Sequence, residues 1–366
     1  MDIGIIGLPQ SGRTTVFNAL SRGHADTAAR GNEPNVGVVK VPDPRLDRLA
    51  ELFNPKKVTP AEVTYVDVAA SGGGFGKGQG IAGQFLNALA RTDALIHVVR
   101  MFENPAVAHI EVSLDADRDI GSINLELAFS DLGILERRVD RITATMKAAK
   151  QQERETAQRE LELLARIKTA LENDVPVREQ VLDDDERRII EGYQFLSQKP
   201  LLVLLNLDEQ QLADRAAIEE RFRLKYTRPG VDVAAICGSL EAELAQMSPE
   251  EADEFRAEMG LPESSLDRVI RISYSLLGLV SFLTAGPDEV RAWTIAHGTP
   301  APRAAGKIHT DIERGFIRAE VVRFDDLVTA GSMAEARKRA ALRSEGRTYI
   351  MQDGDVVEFL FNVSKR

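Results

Sequence analysis

The chain has 366 residues, 43% of them hydrophobic and 28% charged, enough for two or three soluble globular domains. A formal net charge of −11 argues against indiscriminate nucleic-acid binding. One cysteine, Cys237, leaves no internal disulfide and suits a reducing cytoplasm. The five scattered histidines offer no zinc pattern, and no apolar run nears the ~20 residues of a membrane span.

In chain order, the first hundred residues read as α/β. "DIGII" is a short apolar strand stopped by glycine, with no basic leader or cleavage site ahead of it. "VTYVDVA" (63–69) alternates and is β-branched, and "ALIHVVR" (94–100) is a buried-strand pattern. Between them "ASGGGFGKGQGIAG" (70–83) is too glycine-rich for a regular element and leads into the helix "QFLNALARTD". From about 123 to 175 the pattern turns helical. Leu132, Leu135, Val139, Ile142 and Met146 form an a/d seam, and Leu161, Leu164, Ile167 and Leu171 resume it after a polar stretch. The prediction is an antiparallel helical hairpin with its tip near 151–156. A helix of about 22 residues would reach roughly 33 Å. Two amphipathic helices packed on the domain remain the alternative, and the polar tip favours a projecting arm. "KPLLVLLNLDE" (199–209) and "VDVAAIC" (231–237) return to strand, so the arm interrupts an α/β domain. After about 279, turns and β-rich runs around one helix (334–343) predict a small α+β domain. The basic excess is confined to 137–168 (+4) and 279–366 (+1), leaving −16 elsewhere.

The chemistry concentrates in "GLPQSGRTT" (7–15). It is nearly the phosphate loop G-x-x-x-x-G-K-[ST], set between a strand and a helix. Gly7 and Gly12 provide the turn. Backbone N–H groups over Gln10, Ser11, Gly12, Arg13, Thr14 and Thr15 would converge on phosphate oxygens, helped by the helix dipole. Arg13 stands at the lysine position, and Thr14 where a Mg2+-binding hydroxyl belongs. Asp67 ends a strand, as the aspartate of D-x-x-G does. "NLDE" (Asn206, Leu207, Glu209) ends another strand, where guanine readers carry N-K-x-D. The aspartate of that motif accepts from guanine N1–H and its 2-amino group, both absent from adenine. Glu209 is one methylene longer and would not fit that pairing. "ICGS" (236–239), with Cys237 and Gly238, is a base-loop candidate.

With these motifs, "EPNVGVVKVPDPRLDRLAELF", "VDVAASGGGFGKGQGIAGQFL" and "FLTAGPDEVRAWTIAHGTPAPRAAGKIHTDIERGFIRAEVVRFDDL", the sequence resembles the YchF / Obg-like ATPase family, over nearly its whole length and in order. The resemblance implies an α/β fold: a Ras-like P-loop NTPase domain (1–125 and 200–278), an inserted antiparallel coiled-coil arm (126–199) and a C-terminal β-grasp TGS domain (279–366). It also implies ATP preference through N-x-x-E, a Mg2+ cofactor at Thr14 and Asp67, and association with the ribosome and its RNA through arm and TGS domain. A cytoplasmic monomer without membrane attachment is expected.

Four positions depart from the family pattern, all around the γ-phosphate. Arg13 replaces lysine, Gly31 a switch threonine, Ala70 the glycine of D-x-x-G, and Ser71 the hydrophobic residue after it. Arginine is a planar fork that needs more room than an ammonium. Gly31 offers no hydroxyl to order the switch, and Ala70 adds a methyl near phosphate. Phosphoryl transfer depends on positioning and charge stabilisation, and one lost preorganised donor costs on the order of 10²–10³ in rate. Arg13 and Asp67 are the expected catalytic pair. Two functions fit: a slow ribosome-associated ATPase, or a non-hydrolysing paralogue acting as a ribosome or RNA scaffold. His109 and Cys237 read as structural, and Lys77 as a solvated lysine within reach of phosphate. The basic run 335–343 is a solvated helix face or an RNA-facing one.

Overall fold

The computed structural model describes residues 1–21, 34–68, 83–104, 113–146, 150–261 and 263–362. Their strands are β1 (Asp2–Ile6), β2 (Asn35–Lys40), β3 (Lys57–Thr59), β4 (Glu62–Asp67), β5 (Ala94–Arg100), β6 (Leu201–Asn206), β7 (Val231–Ile236), β8 (Leu279–Ala285), β9 (Glu289–Ala296), β10 (Phe316–Arg323), β11 (Arg343–Glu345) and β12 (Asp355–Phe361). They build two sheets, ordered β2-β4-β1-β5-β6-β7 and β11-β10-β12-β8-β9-β3. The chain gathers into two compact units, Met1–Val38 with Thr64–Val269, and Val39–Val63 with Ile270–Arg366. Gly31, Lys77, His109, Ala70 and Ser71 lie outside the described residues.

In the first unit, β1 pairs parallel with β4 and β5, and β5, β6 and β7 continue in parallel. Parallel strands are covered on both faces, which is why "LLVLLN" of β6 is buried at every position. β1 lies between β4 and β5, so successive crossovers leave it in opposite directions. Such a switch point opens a crevice at the strands' carboxyl ends. Helix α1 (Arg13–Leu20) starts there.

Further helices are α2 (Pro44–Phe53), α3 (Gly83–Ala90), α4 (Ala116–Met146) and α5 (Gln151–Glu172). The 31 residues of α4 span roughly 46 Å and serve two cores. Its first half sets Ile120, Ile123 and Leu127 against Leu95, Val99, Val203 and Leu205 of the sheet. Its second half packs Leu135 and Ile142 against Leu164, Ile167 and Leu171 of α5. Arg138 reaching Glu160 and Lys168 reaching Glu136 place α4 and α5 antiparallel. The predicted seam is therefore present, but the tip is not at 151–156. Those residues are already helical, because the Lys150 N–H takes the Glu153 carboxylate in a capping box.

Asp131 ties the root of this hairpin. Its buried carboxylate accepts from the N–H groups of Leu196 (2.7 Å) and Ser197 (2.8 Å), the start of a 3-10 turn. Burial pushes its pKa up to about 6 despite those bonds. Asp131→Ala leaves two buried donors unpaired at about 1–3 kcal/mol each, partly offset by the relieved burial of a carboxyl, for a net loss of about 2 kcal/mol. Urea unfolding followed by far-ultraviolet circular dichroism measures it, and an unchanged midpoint with unchanged slope would refute this role.

In the second unit, β8 pairs antiparallel with β9 and parallel with β12, β10 lies antiparallel to β12 and β11, and β3 adds a parallel edge beside β9. The core helix is Ala301–Ile308, not the predicted 334–343. Ala301, Ala304 and Ala305 are fully buried against Phe282, Phe316 and Val357. Small residues allow that close approach, and Pro300 and Pro302 suit its first turn. The basic run forms only the six-residue helix Met333–Lys338 before β11. The "PDPRL" string finds a mechanical use. Asp43 caps α2, and Arg45 bonds both Asp43 (2.8 Å) and Asp353 (2.7 Å). Asp353 in turn accepts from the Ser281 N–H of β8.

Candidate functional site

The turn from β1 into α1 carries Gly7 through Thr15. Ser11 N–H bonds the Leu8 carbonyl at 3.2 Å and closes the loop. Gln10 (φ 67°) and Gly12 (φ 83°) take the left-handed conformation that bends it. Gly12 caps α1 with no side chain, so the N–H groups of the first helical turn face outward from the helix end. Thr14 and Thr15 are exposed, whereas Ser11 is buried and its hydroxyl has no hydrogen-bond partner among the described residues.

Glycine at 12 has a steric cause. A Cβ there would stand 2.2 Å from Asn206 Nδ2. Asn206, the last residue of β6, is buried with both ends of its amide engaged. Nδ2 donates to the Ser11 carbonyl at 3.0 Å, and Oδ1 accepts from Gly238 N–H at 2.9 Å. The asparagine of "NLDE" thus joins the phosphate loop to the predicted base loop, and its amide keeps a second N–H beyond these two bonds. Leu207 is buried and its N–H bonds the Ile236 carbonyl at 2.7 Å, fastening the "NLDE" segment to the base loop. Cys237 is buried with its sulfur 3.3 Å from the Ser239 hydroxyl. Glu209 stands exposed at the first position of the 3-10 turn Glu209–Asp214, which Asp208 caps.

Asp67, at the end of β4, is buried. Arg13 Nε lies 2.6 Å from its Oδ1, at an angle too bent for a hydrogen bond. The Thr14 hydroxyl is 3.4 Å and the Asn35 amide 3.5 Å from its Oδ2. The fold therefore assembles Arg13, Thr14 and Asp67 in one cluster, and Gly12, Ser11, Asn206, Leu207 and Gly238 in a second that shares the loop. Two participants went unmarked in the sequence. Asn35 begins β2, inside the quoted "EPNVG" string. Phe102 has a ring carbon 3.5 Å from the Cβ position of Gly12, and Arg100 stacks over its ring at 4.7 Å. An aromatic two residues past a buried strand carried no readable signal.

A cavity of about 780 Å³ opens elsewhere at the strand ends, lined by Arg100, Asp117, Asp208, Gln211, Arg221 and Lys225. It contains no residue of the phosphate loop.

Comparison with known proteins agrees with this geometry. A family model described as "YchF-GTPase_C: Protein of unknown function (DUF933)" matches residues 279–362. The "Ribosome-binding ATPase YchF" of Bacillus subtilis is 40% identical, over 98% of this chain and 99% of its own. The protein of that name from Haemophilus ducreyi is 43% identical with the same coverage. The "Obg-like ATPase 1" of Caenorhabditis elegans is 35% identical, over 99% of this chain and 92% of its own. Among solved structures, the Schizosaccharomyces pombe YchF GTPase superposes with a TM-score of 0.85 at 28% identity, covering 98% of this chain and 97% of its own. Full-length identity on this scale, over a matching fold, means that the chain belongs to the YchF / Obg-like ATPase family.

Proposed function

We propose that this protein binds ATP at the Gly7–Thr15 loop, hydrolyses it slowly, and associates with the ribosome. The observation that carries the reading is the loop itself. It has a left-handed Gly12, a helix N-terminus behind it, and Asn206 bracing it against the base loop. Those features present backbone donors to a polyphosphate and cost no reorganisation on binding. Adenine preference follows from Glu209 at the position where a guanine-binding aspartate would stand. Guanine's N1–H and 2-amino donors would go without that acceptor.

Thr14 and Asp67 are hard oxygen donors at adjacent points, a set that fits Mg2+ held by few protein groups together with phosphates. When bound, the ion neutralises charge developing on the β- and γ-phosphate oxygens. The chain's own contribution is to orient. The loop N–H groups would fix the phosphates, and Arg13, at the position of the usual lysine, has its guanidinium turned to Asp67. That pairing favours slow turnover, since the guanidinium must leave the carboxylate before it can stabilise a departing phosphoryl group.

In this reading the nucleotide domain is 1–125 with 200–278, the arm is 126–199, and the TGS domain is 279–366. The relatives named ribosome-binding ATPases support a ribosomal partner. So does the basic arm segment 137–168, in a protein otherwise acidic. No helix among the described residues is long and apolar enough to cross a membrane. The protein acts as a cytoplasmic monomer. The competing scaffold reading rests on the Arg13–Asp67 pair and the departures at Gly31, Ala70 and Ser71.

Calorimetric titration with ATP and GTP tests the nucleotide assignment. ATP binds at least about tenfold tighter, the scale of one lost hydrogen bond. Equal affinities would refute adenine preference. A turnover assay against Asp67→Ala then separates the two functions, and turnover no faster than that variant's leaves the scaffold.

A further inference from the structure

We propose that Arg13 is a built-in counter-cation which competes with Mg2+ for Asp67, so that this protein takes up ATP almost independently of divalent metal. The inference rests on the nucleotide assignment above and adds a regulatory property to it.

A phosphate-loop lysine is a compact ammonium on a flexible stem, with no side-on edge to offer a carboxylate. Arginine at the same position has Nε set back along the side chain and a planar fork beyond it. Here Nε comes to 2.6 Å from Asp67 Oδ1. Asp67 is almost fully buried, and the Arg13 side chain is only 16% exposed, so water screens the pair little. The opposite oxygen of Asp67 already faces Thr14 and Asn35. Both carboxylate oxygens are therefore engaged by residues of the chain, and the negative charge that would draw a divalent ion is balanced in advance. The Nε–H is not aimed along the contact, so what holds the pair is charge more than a directed bond. The pair can accordingly be exchanged when a stronger cation or anion arrives.

The same charge then serves the ligand. Arg13 is the first residue of α1, directly after the left-handed Gly12, where the helix's positive end faces the phosphates. A guanidinium binds phosphate oxygens bidentately and stays charged at every physiological pH. In metal-free ATP two or more negative charges need a partner, and Arg13 is positioned to turn its fork from Asp67 to them. In the free protein Asp67 is already paired, and with ATP bound Arg13 supplies to the phosphates the positive charge a metal would bring, so Mg2+ has little net affinity to add.

Isothermal titration with ATP, in Mg2+ and in excess chelator, decides the matter on the full-length wild type, Arg13→Lys and Arg13→Met. For the wild type the two dissociation constants agree within about threefold, less than 1 kcal/mol. Arg13→Lys frees Asp67, and Mg2+ then tightens ATP by at least about tenfold, or 1.4 kcal/mol. Arg13→Met retains no counter-cation, so it loses metal-free binding and keeps part of the Mg2+-dependent binding. Circular dichroism verifies that each variant is folded. Wild-type binding that appears only with Mg2+ overturns this inference and leaves the ATP assignment standing. Absence of ATP binding under both conditions overturns the ATP assignment instead. A metal response in Arg13→Lys equal to that of the wild type also overturns the proposal.

Discussion

Gly12→Ala lowers ATP affinity by at least about a hundredfold while the sheet stays folded. Two costs combine. An alanine held at φ 83° bears about 1–2 kcal/mol of left-handed strain. Its methyl would also stand 2.2 Å from Asn206 Nδ2, so the amide must leave its bridge. That breaks bonds to the Ser11 carbonyl and from the Gly238 N–H, both buried, at about 1–3 kcal/mol each. These costs disfavour the phosphate-binding form of the loop against relaxed forms, and a shift of roughly 3 kcal/mol leaves about one molecule in a hundred competent, which lowers apparent affinity about a hundredfold. If the loop relaxed to avoid the clash, the convergence of its N–H groups on one point would be lost instead. Asn206→Ala is the comparison: it removes the bridge without strain and should weaken ATP by a smaller factor. Calorimetry on both variants, with circular dichroism to verify folding, measures the difference. Wild-type affinity in Gly12→Ala would show that the loop is not the phosphate site.

Lowering the pH from 7 to 5 costs this protein about 2 kcal/mol of stability through His97 alone, and His97→Leu removes that loss. His97 lies on β5 in the middle of the first sheet and is fully buried. Neither ring nitrogen has a hydrogen-bond partner among the described residues. Desolvation lowers its pKa from 6.5 to about 3, so the folded ring stays neutral while the unfolded chain binds a proton. Between those values the unfolded state carries more protons, and stability falls as pH falls. Each pH unit in that window is worth 1.36 kcal/mol, so the full loss by pH 3 approaches about 5 kcal/mol. Leucine nearly matches the ring's volume and carries no polar atom to desolvate. His97→Leu should therefore gain about 1–3 kcal/mol at pH 7 as well. Urea unfolding at pH 7, 6 and 5 tests both effects. Parallel pH dependence in the two proteins would place the acid sensitivity elsewhere.

The central strands were readable because burial on both faces demands unbroken apolar residues: "ALIHVVR" and "LLVLLN" became β5 and β6. The hairpin seam was readable because two helices that bury only each other must repeat apolar residues every three and four positions. Less local features misled. The hairpin tip was assigned to a polar stretch, yet polarity does not end a helix whose exposed face is solvated, and α5 runs through it from Gln151. In the second unit the core helix hides among prolines and alanines, because small residues that pack closely give weak apolar periodicity.

At the candidate site the sequence by itself determined residue types and their order: a glycine-bent loop after a strand, an arginine where an ammonium is usual, a carboxylate ending another strand, and an asparagine and glutamate beyond. Local geometry follows from local sequence, because a turn that requires positive φ selects glycine. Only the tertiary structure decided what the groups do to one another. Asn206 is marked in the sequence only by its motif, and its bracing of the phosphate loop is tertiary, since residues 195 positions apart in the chain meet only when β1 and β6 lie in one sheet with β5 between them. Arg13 and Asp67 read in the sequence as a catalytic pair, and that they form an ion pair with each other follows from β1 and β4 being neighbours with their carboxyl ends together. Charge on a side chain is written in the sequence. Which opposite charge lies within 3 Å of it is set by strand order, and strand order is a property of the whole folded sheet.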